Sequence, residues 1–197
     1  VFGLASALEG YVYSIAQALS GLFLPRVARI LTQEDSSEAV LDLMVVVGRI
    51  QTYVVGAVVI GFVCVGRDFV ASWMGEGFAA LYVGAVLLMI PSLIELPQEI
   101  AATAVLATSN VRPQAYVHVA MAVANVPLMF VLAGEFGAVG ACTAILTTYL
   151  LRTLGMNVVY SKKLDLDVVA FFRRTYGSWV VPASISLVAG LGINSAI

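Results

Sequence analysis

Two carboxylates stand four residues apart, at Glu95 and Glu99, inside an apolar run that extends over residues 78–110. Residues four apart share one face of a helix. Pro91 and Pro97 lie in the same run, and a proline removes a backbone donor and bends a helix. Acids persist in a membrane helix where they face protein or a wet cavity. The pattern predicts a bent membrane helix whose acidic face lines a transport path.

The position of Pro97 has a local consequence for the backbone. A carbonyl near Leu93 loses its helical donor there and needs another partner. If Glu95 faces a cavity between helix bundles, a leucine in its place is expected to raise stability by removing a buried carboxyl. An alternative interpretation ends the helix near Leu96 and places both acids close to the inner surface.

Four other polar residues are candidates for contact with a substrate. Glu9 falls in the outer half of the first predicted helix, or at the membrane interface if residues before Val1 belong to that helix. Asn125 lies in a later helix, where it either binds substrate or hydrogen-bonds to a neighbouring helix. Arg26 and Arg29 follow the first helix, and arginine holds phosphate oxygens bidentately. Anchoring at the cytosolic interface is the simpler explanation for both arginines.

The composition indicates an integral membrane protein. Hydrophobic residues form 61% of the 197 residues and charged residues 11%, about half the charged fraction of a soluble domain. The net charge of −2 excludes the basic footprint of a nucleic-acid-binding protein. Cys64 and Cys142 lie in apolar runs and His118 is the single histidine. Neither a disulfide framework, a metal site nor a cofactor is expected.

Charge-free windows, compared with the roughly 20 residues that span a bilayer, predict an all-α integral membrane fold with six transmembrane helices. Turns are predicted at residues 67–77, 109–113 and 134–140. The predicted helices run from near Phe2 to Pro25, from about Ser37 to Gly66, from Phe78 to the second turn, from Gln114 to Ala133, from Ala138 either to Leu151 or on past Arg152 to Tyr160, and from Tyr176 to Ile197.

The predicted spans divide the chain into three parts. Residues 1–160 are expected to form a C-terminal-lobe helix bundle of five transmembrane helices. Residues 161–175 combine early acids with late arginines and are expected to form an amphipathic linker in the membrane surface. Residues 176–197 are expected to be an additional, truncated transmembrane helix. Because the chain opens without methionine and stops inside an apolar run, we expect it to be a piece of a longer protein.

Lysine and arginine are distributed unevenly among the predicted loops. Loops one, three and five hold nine of them when Arg152 is counted in loop five, and loops two and four hold only Arg67. Cytosolic loops collect positive charge. The odd-numbered loops are therefore predicted to be cytosolic.

Four segments resemble motifs of one transporter family. Their order and spacing are similar to those of the lipid-linked oligosaccharide flippases, the polysaccharide-export branch of the multidrug/oligosaccharidyl-lipid/polysaccharide (MOP) superfamily. The segments are Leu24-Pro25-Arg26 at the end of the first helix, residues 68–75 (DFVASWMG), residues 105–110 (VLATSN), and Asn125 followed by residues 137–141 (GAVGA).

The resemblance implies the second half of a flippase. It would move polyprenyl-diphosphate-linked oligosaccharide across the cytoplasmic (inner) membrane for polysaccharide biosynthesis, by rocking against a missing N-terminal helix bundle and without breaking a bond. Some members bind sodium through an acid one turn beyond the asparagine. This chain has Met129 there, so no ion site is implied.

Two other functions remain open from the sequence. A drug or metabolite exporter of the same superfamily would share most of these features. A membrane enzyme acting on lipid-linked sugars would gather several Asp, His or Arg residues at one membrane face. Asp165 and Asp167 lack a partnering histidine in the sequence, so the enzyme is the weaker alternative.

Overall fold

A computed structural model describes residues 2–21, 23–30, 36–107 and 111–194, and these residues form α-helices and short turns without a strand. The all-α prediction is thereby confirmed. The family-like residues 108–110 lie outside the described residues. The helices are α1 Phe2–Gly21, α2 Leu24–Ile30, α3 Ser36–Met74, α4 Ala79–Met89, α5 Ser92–Glu95, α6 Glu99–Ala107, α7 Arg112–Leu164, α8 Val168–Tyr176 and α9 Val180–Asn194.

Three helices are long enough and apolar enough to cross a membrane. They are Ser37–Met74, Ala79–Ala107 and Arg112–Leu164, while Val180–Gly192 within α9 is apolar but shorter. These lengths and compositions fit a membrane protein. By length and composition, the described residues do not confirm the six separate spans that the sequence predicted.

The longest helix, α7, turns back on itself at Gly137. Gly137 has φ 59°, a left-handed conformation that glycine adopts without steric penalty. Thr148 donates a hydrogen bond to Asn125 at 3.0 Å, although a straight helix would hold these residues about 35 Å apart. The predicted turn at residues 134–140 is therefore confirmed. We refer to residues 112–136 as limb one of α7 and to residues 138–164 as limb two.

The helix α3 is longer at its C-terminal end than the sequence predicted. The turn expected at residues 67–77 begins only at Gly75, which has φ 93°, and residues 67–74 continue the helix. Arg67 and Asp68 mark a polar position on a continuous helix rather than its end. Val70 is fully buried with residues of α1 and α4, and this packing stabilises the additional turns.

Residues 79–107 follow one helical path that we call the bent helix. It comprises α4, α5, a 3₁₀ turn at Leu96–Gln98 and α6. The alternative in which the helix ends near Leu96 is wrong, since α6 continues to Ala107. Pro97 lacks the N–H that would reach Leu93, and the Tyr176 hydroxyl donates to the Leu93 carbonyl at 2.6 Å instead. The expected need for another partner near Leu93 is confirmed.

The bend is held from one side by α3 and α8. A side-chain carbon at Gly48 would lie 2.9 Å from the Pro97 carbonyl oxygen and 3.1 Å from the Phe171 ring, so only glycine permits this close approach. Phe171 is fully buried in the core formed with α3 and α6. The predicted linker differs at its start, because residues 161–164 are the last turn of α7. Helix α8 begins after Asp167, which accepts a hydrogen bond from the Ala170 amide at 2.9 Å.

We expect Tyr176→Phe to destabilise the fold by about 1–2 kcal/mol, because the partly buried Leu93 carbonyl would then lose its donor. The phenylalanine keeps the ring contacts with Phe172 and Trp179. Thermal or denaturant unfolding in detergent measures the change. Tyr53→Phe is the matched control, since its exposed hydroxyl donates to the Ser178 carbonyl and water can replace it. Equal effects of the two substitutions would contradict the assigned role of Tyr176.

Candidate functional site

The carboxylate of Glu95 is the centre of a polar cluster within the bent helix. It lies 16 residues after Ala79 and 12 before Ala107, about 24 and 18 Å along the helical path. The Tyr13 hydroxyl donates to Oε2 of Glu95 at 2.8 Å. The Arg152 guanidinium donates to Oε1 and forms an ion pair. The side chains of Arg152 and Glu95 are 18% and 25% exposed, so the pair is largely shielded by protein.

Three separate elements supply this cluster. Tyr13 belongs to α1, Glu95 to the bent helix and Arg152 to limb two of α7. The Arg152 guanidinium carbon also lies 4.3 Å from the centre of the Tyr149 ring, three residues earlier on the same helix face. A cation over an aromatic face is stabilised electrostatically, so Arg152 is held by both the ring and the carboxylate.

Counting Arg152 as a loop residue was wrong. It lies within α7, where its side chain pairs with Glu95, and it does not report which side of the membrane a loop faces. Sequence reasoning also did not assign it to the site. An arginine at the edge of an apolar run resembles an interfacial anchor. The available signal was the pair of acids in another span, Glu95 and Glu99, since a buried carboxylate is stabilised by a cation.

A cavity of about 230 Å³ adjoins this cluster, and we call it the Glu95 cavity. Glu99 lines it one turn beyond Glu95, so the structure brings the two predicted acids to one cavity. His118 lines it from limb one. The full lining is Tyr13, Gln17, Glu95, Gln98, Glu99, Ala102, Leu106, Gln114, His118, Arg152, Thr153, Met156 and Tyr160.

Two other predicted path residues are placed differently. Glu9 is half-buried on α1, one turn before Tyr13. It is not among the residues that line the Glu95 cavity. Asn125 accepts the hydrogen bond from Thr148 and connects the two limbs of α7. The interpretation of Asn125 as a hydrogen-bonding partner of a neighbouring helix is confirmed.

Arg26 and Arg29 lie away from this cavity. Both line an open groove of about 880 Å³ between α2 and α3, and both side chains are exposed. Asp42 lines the same groove and pairs with Arg174 at 2.7 Å. The groove presents cations at the surface, as both the phosphate-contact and the anchoring interpretations require.

The described residues do not place three His, Cys, Asp or Glu side chains together as a metal site would need. Cys64 and Cys142 are buried thiols in that part of the chain. The polar cluster around Glu95 holds opposite charges and makes hydrogen bonds, and the Glu95 cavity beside it has space for a polar group.

No protein-family model, curated protein or solved structure matches this chain. The resemblance to oligosaccharide flippases therefore stays a prediction from motifs.

We expect Glu95→Gln and Arg152→Gln each to destabilise the fold by about 1–3 kcal/mol, because each leaves the opposite charge shielded from water without its partner. The double variant should cost less than the sum of the two. Glu95→Leu should also lower stability, contrary to the expectation from sequence, since Arg152 would lose its counter-charge. The coupling free energy is measured by unfolding the wild type, the two single glutamine variants and the double variant.

The Asp42–Arg174 pair is the control for this cycle. Its side chains are 58% and 43% exposed, so its coupling should be below about 1 kcal/mol. Additive effects of the Glu95 and Arg152 substitutions would show that the two side chains do not depend on each other.

Proposed function

We propose that the chain is one half of a membrane flippase that moves polyprenyl-diphosphate-linked oligosaccharide across the cytoplasmic membrane for polysaccharide biosynthesis. The observation that carries the proposal is the Glu95–Arg152 pair beside a polar cavity, midway along an apolar helix. Ionisable groups at membrane depth are costly and mark substrate or ion pathways. The motif resemblance supplies the substrate class.

In this proposal no covalent bond changes. A polar headgroup needs hydrogen-bonding partners when it leaves water, and the groups around Glu95 supply them within the bilayer. Two helix bundles rocking about a central site would expose that site to each side in turn. The prolines of the bent helix favour such motion because they remove hydrogen bonds that would otherwise stiffen it.

The proposed architecture has six transmembrane helices: α1, α3, the bent helix, the two limbs of α7, and α9. The limbs contain 25 and 27 residues and are about 37 and 40 Å long, enough to span the hydrocarbon core. Limb one presents exposed apolar side chains, including Val119, Val123 and Phe130. This face suits contact with lipid or with the second bundle of a MOP-type transporter.

The proposed topology places the ends of α3 and limb one outside the cell and the end of α7 in the cytosol. Single cysteines replace Ser72, Gly134 or Ser161, all exposed, in a protein lacking Cys64 and Cys142. An impermeant thiol reagent should label the first two from outside, and should label position 161 only after the membrane is opened. The reverse pattern would overturn the topology.

Transport is tested with the complete protein in vesicles, by following polyprenyl-linked sugar from one leaflet to the other. Glu95→Gln and Glu99→Gln should each lower the flipping rate per inserted molecule by about tenfold or more, the equivalent of one lost charge-assisted hydrogen bond. Glu135→Gln is the control, because Glu135 is exposed near the turn of α7 and should leave the rate unchanged.

Protein abundance is measured in the same membranes, so a loss of insertion is separated from a loss of transport. If the wild-type protein transports small lipophilic cations across the vesicle membrane but does not flip lipid-linked sugar, it is a drug exporter instead. Full flipping by both cavity variants would remove the Glu95 cavity from the path.

A further inference from the structure

We propose that the Glu95 cavity binds an uncharged group rich in hydroxyls or amides, a single sugar ring, through Gln98 and Gln114. The identification of the group as sugar rests on the proposed function. The recognition itself rests on buried polar atoms of the cavity wall, which come from two different elements.

Gln98 lies in the 3₁₀ turn of the bent helix and is only 2% exposed. Its side-chain nitrogen Nε2 is buried and has no hydrogen-bond partner among the described residues. A buried donor without an acceptor costs about 1–3 kcal/mol, and native proteins contain few of them. A residue of this kind in the wall of a cavity points to a ligand that supplies the acceptor.

Gln114 provides the complementary group from the first turn of limb one. Its side-chain oxygen Oε1 is buried and likewise lacks a donor within the described part of the chain. Both glutamines line the Glu95 cavity. Each of these two lining residues therefore carries one buried polar atom without a partner among the described residues, and a hydroxyl or an N-acetyl amide in the cavity has both complementary functions.

The charge of the lining disfavours an anion. The lining holds two acidic side chains, Glu95 and Glu99, against the single guanidinium of Arg152. Arg152 is already paired with Glu95. A diphosphate placed here would meet Glu99 without an uncommitted cation, so the cavity suits the neutral part of a lipid-linked sugar.

The size and polarity of the cavity restrict the ligand further. At about 230 Å³ the cavity is smaller than most ligand pockets, which measure about 300–1,000 Å³, so a single ring fits better than an oligosaccharide. An apolar ligand would leave both glutamines unpaired, and sites built for hydrogen bonding reject such analogues strongly.

The test measures thermal unfolding of the complete protein in lipid nanodiscs, with N-acetylglucosamine as the probe and with glycerol and inorganic pyrophosphate for comparison. A ligand that binds only the folded state raises Tm in a dose-dependent way. N-acetylglucosamine should raise Tm of the wild type. Gln98→Leu and Gln114→Leu should each weaken its apparent Kd by about tenfold, as expected for one hydrogen bond.

Gln51→Leu is the matched control. Gln51 is a fully buried glutamine that donates to the Ala16 carbonyl at 3.3 Å and does not line the Glu95 cavity. This variant should lose stability without ligand but keep the response to sugar. Gln98→Leu should instead match or exceed the wild-type Tm without ligand, because it removes an unpaired buried group.

The proposal is overturned if N-acetylglucosamine does not shift wild-type Tm, if the shift survives in both cavity variants, or if glycerol gives the same shift at equal concentration. A shift by pyrophosphate that Gln98→Leu abolishes would also overturn it, in favour of an anion site. Sugar-dependent stabilisation without flipping of lipid-linked sugar would overturn the proposed function and leave the cavity assignment standing. Flipping of lipid-linked sugar without stabilisation by N-acetylglucosamine would overturn the cavity assignment and leave the proposed function standing.

Discussion

The interaction on which the arrangement depends is the ion pair between Glu95 and Arg152. A single charge in an apolar, largely shielded position is unfavourable, and an opposite charge with additional hydrogen bonds offsets that desolvation. Tyr13 supplies one of those bonds, so α1, the bent helix and limb two of α7 meet at one carboxylate. The Glu95 cavity adjoins this point.

The bend at Pro97 determines where the carboxylate lies. Proline frees the Leu93 carbonyl, and the Tyr176 hydroxyl of α8 satisfies it. Gly48 lets α3 approach the backbone of the bend. Helix α8 is thus connected to the polar cluster through one turn of backbone, although it contributes no side chain to the cavity. A displacement of α8 would therefore change the hydrogen bonding of the bend two residues before Glu95.

In the proposed flippase, two chemistries of one substrate are separated in space. The Glu95 cavity combines glutamine amides with two acids and the already paired Arg152, whereas Arg26 and Arg29 lie on a surface groove between α2 and α3. A polyprenyl-diphosphate-linked sugar has a charged diphosphate and an uncharged ring. In this proposal the diphosphate keeps access to water, while the ring exchanges water for amides and hydroxyls. Such a division lowers the desolvation penalty within the apolar part of the protein.

The sequence alone determined features that arise from local chemistry. Long apolar runs predicted helices, because a membrane span needs about 20 such residues. Pro97 predicted a free carbonyl near Leu93 and the glycines at 134–140 predicted a reversal, because proline and glycine impose their own backbone constraints. Tertiary structure alone decided that Arg152 pairs with Glu95 across 57 residues and that Gln98 and Gln114 share a cavity. Those outcomes depend on the rotation and register of helices against one another, which many distant contacts fix together and no local pattern encodes.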